Sequence, residues 1–252
     1  MVLLHGLFGS GGNLGALARH LREAFQVFSV DLPGHGRSAW LPRYSLAEFA
    51  AVIAGWLQGQ GIHEAHFVGH SLGGKVAMEL ALSFPGLVRS LVVADIAPAT
   101  YGDRHNPVFA ALDAVAAAHC ASRADAEAIM AQHLEETAVI QFLLGSLRRD
   151  DAGVYRWQMD REGLQRDYPA LRAAPAGSTG WPGPVLFVKG EHSDYISEKH
   201  RDVIEALFPR ADLKIMRGCG HWLHAEKPEL FNSIVARFLE AEAGAADLAV
   251  TH

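Results

Sequence analysis

Short, almost purely apolar runs alternate along this chain with longer stretches whose apolar positions recur at helical spacing. The runs fall at 2–4, 27–31, 66–69, 91–95, 185–188 and 213–216. Each is nearly continuous rather than alternating, which is the pattern of a strand buried on both faces of a parallel sheet. Between them, 13–24, 45–58 and 75–84 read as amphipathic helices, and a last helix starts at Pro228, a residue suited to the first turn. Strand–helix alternation of this kind predicts an α/β fold, a mostly parallel sheet with helices on both faces.

The middle of the chain breaks the pattern. From 101 to 179 no buried strand is evident. "NPVFAALDAVAAAH", "SRADAEAIMAQHLEE" and "TAVIQFLLGSLRR" predict three helices, a mixed stretch follows from Gly153, and "APAGSTGWPGP" brings the chain back to the next strand. The expected organisation is a core of 1–100 and 180–252 with a helical insertion at 101–179. The terminal "AEAGAADLAVTH" reads as a fraying tail.

Composition narrows the function classes. With 252 residues and 50% hydrophobic content the chain can build a large core, and a net charge of −6 without basic runs argues against nucleic acid or an anionic membrane as partner. No apolar run is long enough to span a bilayer and no basic, apolar leader opens the chain, so a cytoplasmic protein is expected. The two cysteines, Cys120 and Cys219, sit in unrelated contexts and are expected as buried thiols.

The strongest local signal is "FVGHSLGGKVAMELAL". A strand leads into Gly69-His70-Ser71-Leu72-Gly73, which matches G-x-S-x-G, and a helix follows at once. In such a turn the central residue is held in a strained conformation, and small residues two before and two after relieve the crowding. Ser71 is thereby presented at a helix N-terminus, whose dipole favours developing negative charge. A serine needs a base to take its proton. His221 lies on a loop just past the last strand, at the edge of the sheet where open α/β folds bind ligands, and His224 is its nearest rival. His5, His35 and His70 read as structural hydrogen-bonders. The turn after the first strand, "HGLFGS", offers the N–H of Leu7, with Phe8 second to it, to join that of Leu72 as an oxyanion hole. Leu7, Phe8, Trp222 and the 137–149 helix, with Phe142 and Leu143 foremost, are expected to line an apolar acyl pocket.

Taken together, "HGLFGS", "DLPGHGRS", "GHSLGG", "DIAP" and "GHWLHAEKPE" resemble, in this order, the α/β-hydrolase superfamily, and within it the small bacterial serine esterases of the HGLFGS type. The resemblance implies the α/β-hydrolase fold with 101–179 as a lid. It also implies an acyl-enzyme route on small-molecule carboxylic esters of short to medium acyl chains, with no metal or organic cofactor. Thioesters, carbon–carbon bonds, or a non-catalytic receptor role are the alternatives on the same fold. The superfamily usually opens with two further strands, whereas this sequence begins inside the strand ending in His5-Gly6; either the sheet lacks that edge or the native start lies upstream.

In this superfamily the acid most often stands three residues beyond a glycine such as Gly190, and here that position is Ser193. Two carboxylates compete for its place. Asp194 is one residue out of register, and a one-residue shift in a loop redirects a side chain. Asp95 closes the strand at 91–95, next to the one ending in Gly190, and adjacent strands lie about 5 Å apart. An unpaired carboxylate at the end of an apolar run is costly to bury, which favours Asp95 as the partner of His221 with Asp194 as the alternative. Ser193 is then expected to support the pair through a hydrogen bond.

Overall fold

All six apolar runs become strands of one sheet in the computed structural model, which describes residues 1–177 and 179–249. In chain order the strands are β1 (Val2–Leu4), β2 (Phe28–Val30), β3 (Ala65–His70), β4 (Val88–Ala94), β5 (Leu147–Arg149), β6 (Tyr155–Trp157), β7 (Val185–Gly190) and β8 (Ala211–Met216). The sheet runs β2-β1-β3-β4-β7-β8 and every pairing in it is parallel, while β5 and β6 form a separate antiparallel pair. The helices are α1 (Gly15–Leu21), α2 (Leu46–Gly59), α3 (Leu72–Ser83), α4 (Asn106–Ala118), α5 (Arg123–Met130), α6 (Thr137–Leu144), α7 (Arg161–Arg166), α8 (Tyr168–Leu171), α9 (Arg201–Leu207), α10 (Leu223–Glu226) and α11 (Pro228–Ala249).

Two cores explain why the central strands carry no polar face. Leu3, Val68, Val92 and Leu186 pack with α1 and α11, whereas Val2, Phe67, Leu91 and Phe187 pack with α2 and α3. Neighbouring positions of one strand thus enter opposite cores. Helix α2 starts where Ser45 caps it, its side chain accepting from the Glu48 amide at 3.1 Å, and its buried Leu46, Phe49, Ala50, Ile53 and Leu57 follow helical spacing. Strand β8 departs from expectation. It is an outermost strand and 212–215 lie open to solvent, with Leu213 and Ile215 51% and 56% exposed, because the helices cover the centre of the sheet and not this edge.

The chain between β4 and β7 holds α4 to α8 and the β5–β6 pair. The pair was not legible in the pattern: each strand is three residues long, and only Leu147 of β5 is buried. Two buried ionisable side chains on α3 hold the ends of this segment. Lys75 Nζ donates to the carbonyls of Ala99 and Arg172, each at 2.8 Å, and to that of Ala173. One turn on, Glu79 accepts from the Ala176 amide at 2.6 Å and from Ser83 Oγ at 3.0 Å. At the other end of the chain, the expected fraying tail is instead a continuation of α11 as far as Ala249; residues 250–252 lie outside the described residues. Both cysteines are buried and free.

Candidate active site

The turn from β3 into α3 shows why two glycines flank Ser71. Ser71 has φ 51° and ψ −117°, a conformation L residues rarely adopt, and its amide donates to the Ala94 carbonyl at 3.0 Å. A Cβ at Gly69 would stand 2.2 Å from the Gly73 carbonyl oxygen, and one at Gly73 would stand 2.2 Å from that of Leu4. Backbone on both sides closes the space, so no side chain fits and the serine is raised into the open at the start of α3.

The turn after β1 is held by two neutral histidines. His5 Nδ1–H donates to the Gly6 carbonyl at 2.8 Å while its Nε2 accepts from the Leu32 amide at 2.9 Å. His35 Nδ1–H donates to the Pro33 carbonyl at 3.0 Å, and its Nε2 accepts from the Phe8 amide at 3.1 Å, fixing Phe8 at φ 65°. Burial pushes His5 down to about 4 and His35 to about 3, so both rings stay uncharged at neutral pH and keep an acceptor nitrogen. The Phe8 amide is therefore committed to His35 and is not the free donor of this turn.

Three loops meet at Asp95. This residue is fully buried at φ 53°, just past β4. Its Oδ1 accepts from the Gly190 amide at 2.9 Å, and its Oδ2 accepts from His221 Nδ1–H at 2.8 Å and from the Ser193 hydroxyl. The His221 ring is further fixed by Tyr195, stacked on it at 4.1 Å and 24°, and its carbonyl accepts from His70 Nε2–H at 2.9 Å. Burial keeps His70 well below the usual histidine range, so this ring too is neutral. Asp194 goes elsewhere. It makes a bidentate pair with Arg104, at 2.7 and 2.9 Å, whose guanidinium holds its carboxyl below the usual range. His224 is buried against His70, with ring centroids 4.4 Å apart.

Ser71 and His221 open onto one cavity of about 670 Å³, whose wall includes Leu7, Phe8, Phe142, Leu143 and Trp222. A second, smaller hollow of about 40 Å³ touches Ser71, Leu7 and Leu72. The structure therefore brings together Ser71, His221, Asp95 and Ser193, puts Leu7 and Leu72 in one wall with Ser71, and leaves Asp194 with Arg104. Tyr195 and Arg104 were not foreseen: their contacts join the loop after β7 to the loops after β4 and β8, and no local spacing announces such pairs.

Comparison with known proteins agrees with this fold. Residues 1–228 match the family described as alpha/beta hydrolase fold. The chain is 40% identical over 243 residues to esterase YbfF of Escherichia coli (strain K12), covering 95% of this chain and 92% of that protein. It is 34% identical over 247 residues to the sn-1-specific diacylglycerol lipase ABHD11 of Mus musculus, covering 95% and 80%. A solved marine microorganism esterase superposes with a TM-score of 0.91 at 33% identity, over 94% of each chain.

Proposed function

Because this chain belongs to the α/β-hydrolase family, we propose that it hydrolyses small-molecule carboxylic esters through an acyl-enzyme formed on Ser71. The observation that carries the reading is the line from Asp95 through His221 to the cavity that Ser71 enters. Asp95 holds His221 Nδ1–H, which leaves Nε2 as the acceptor for the serine proton. In acylation the Ser71 oxygen bonds to the acyl carbon and the carbonyl becomes an oxyanion facing the Leu7 and Leu72 amides, each worth roughly 3–4 kcal/mol in the transition state. The C–O bond to the alcohol then breaks, and His221 passes the proton to the departing oxygen. Water repeats the sequence on the acyl-serine, with His221 as base, and releases the acid. Esters of short to medium acids with varied alcohols are the expected substrates, and names of relatives that say esterase support that class.

Ser193 adds a second donor to the carboxylate that faces His221, and with the Gly190 amide it fixes which oxygen meets the ring. The 101–179 segment acts as a lid: it brings Phe142 and Leu143 to the cavity wall. Brief mixing with an activated ester, followed by mass spectrometry of peptides, should show the acyl group on the peptide containing Ser71. An adduct that persists in Ser71→Ala would overturn the assignment.

A further inference from the structure

Ser71 faces two spaces of very different size, and His221 borders only one of them. The large cavity has Gly220, His221 and Trp222 in its wall, whereas the small hollow is lined by Ser71, Leu7 and Leu72 together with rings, aliphatic side chains and the basic residues Lys75, Arg104 and Arg172. The proton that His221 carries must reach the oxygen of the departing alcohol, so the alcohol half of an ester lies on the His221 side. Its acyl tail then points away from His221. From these positions we propose that the small hollow is the acyl subsite and the large cavity the alcohol subsite, so that the enzyme takes esters of short, uncharged acids with bulky alcohols. The assignment rests on the serine-esterase reading above and reverses the sequence expectation for Phe8, Phe142, Leu143 and Trp222, which it places against the alcohol.

The chemistry of the hollow's wall supports an uncharged acyl group. Ile96, Leu171 and Leu72 give it aliphatic surface, and Tyr101, Tyr168 and Tyr195 supply rings. The polar tips of Tyr101 and Tyr168 are engaged elsewhere. The Tyr101 hydroxyl accepts from the Ala97 amide at 2.8 Å and donates to the Tyr195 carbonyl, and Tyr168 donates to His105 Nδ1 at 2.6 Å. Burial pushes His105 down to about 4, so that ring is neutral. The bordering cations are turned away as well: Lys75 to three carbonyls, Arg104 to Asp194, and Arg172 to Asp103 at 3.1 Å. Among the described residues that line the hollow, each basic side chain already has a partner. At about 40 Å³ the hollow is roughly three times the least volume that holds a water molecule, a size that favours short acyl groups over an octanoyl tail.

A two-way substrate series tests this. With p-nitrophenol held constant, kcat/KM should fall at least about tenfold from butyrate to octanoate, as expected when methylenes have no pocket. With acetate held constant, it should not fall from ethyl to octyl and naphthyl esters. Leu171→Ala, which enlarges the hollow, should raise the octanoate-to-acetate ratio by about tenfold and leave the ratio among alcohols in place. Phe142→Ala should do the converse. Wild-type enzyme that hydrolyses octanoate as well as acetate overturns the subsites, as does an acyl preference that moves with Phe142→Ala and not with Leu171→Ala. If Leu171→Ala does not fold, the wild-type series alone decides. Absence of turnover on every ester, with no adduct at Ser71, would instead overturn the esterase reading itself and the subsites with it.

Discussion

At the scale of single residues, Asp95 is the point on which this site turns. A fully buried carboxylate is tolerated here because three donors meet it: the Gly190 amide, the Ser193 hydroxyl and His221 Nδ1–H. The donors differ in what they do. The histidine changes charge during the reaction, so its contact is worth most in the transition state, whereas Ser193 keeps the carboxylate in place throughout. Asp95→Asn is therefore expected to lower kcat by about 10⁴-fold, the cost of the same change in other serine triads. Ser193→Ala should lose about tenfold or less, because one of the three donors can be missed. Asp194→Asn breaks a pair whose carboxylate is 70% exposed and should leave kcat close to wild type. Steady-state kinetics on one ester decide among them; a collapse in Asp194→Asn with Asp95→Asn near wild type would reverse the assignment.

At the scale of elements, α3 does two jobs. Its N-terminus carries Ser71, and its buried side holds Lys75 and Glu79, which fasten both ends of the 101–179 segment. Gly73 and Gly74 let the helix approach β1 and Ile96 closely; a Cβ at Gly74 would stand 2.7 Å from the Ile96 side chain. The lysine is the part open to test. Lys75→Met keeps the length of the side chain but leaves the Ala99, Arg172 and Ala173 carbonyls without their donor. A loss on the order of 3 kcal/mol is expected, since each buried group deprived of a partner costs about 1–3 kcal/mol and some rearrangement recovers part of it. Urea unfolding measures it, and limited proteolysis should cut within 101–179 sooner than in wild type. A variant as stable and as resistant as wild type would show that the clasp does not hold the segment.

At the scale of the whole molecule, burial of neutral histidines sets the response to acid. His5, His66 and His224 are pushed by burial down to about 4, His35 to about 3, and His70 well below its ordinary value. In the unfolded chain each titrates near 6.5. Above that value these rings are unprotonated in both states and their contribution to stability is at its full level. As pH falls from about 6.5 to 4 the unfolded chain takes up protons that the folded one refuses, so stability declines, by about 1.4 kcal/mol per pH unit for each fully responding ring. Urea midpoints measured at pH 7.5, 6, 5 and 4.5 should therefore drop steeply. Equal midpoints at pH 7.5 and 5 would mean that these rings are not held neutral.

Local spacing by itself determined the strands, the helices that flank them and the turn at Ser71, because those features depend on residues a few positions apart. Continuous apolar runs announce strands buried on two faces, and small residues at two positions on either side of Ser71 are required by backbone that lies within the same turn or one strand away. The five motifs in order made the family legible before any coordinate. What meets His221 was not legible to the same degree. Asp95 and Asp194 both follow the end of an apolar strand run in the sequence, and only the register of β4 beside β7 sets Ser193 and Gly190 around the Asp95 carboxylate across 95 to 98 residues of chain. The pairing of Asp194 with Arg104, the stacking of Tyr195 on His221 and the three-residue strands β5 and β6 arise in the same way, from contacts between distant segments. So do the two spaces beside Ser71, whose volumes depend on how the 101–179 segment seats on the core. Periodicity encodes which face of an element is buried; it carries no record of which distant element will cover that face, and the pairing of charges and the shape of a cavity follow from that choice.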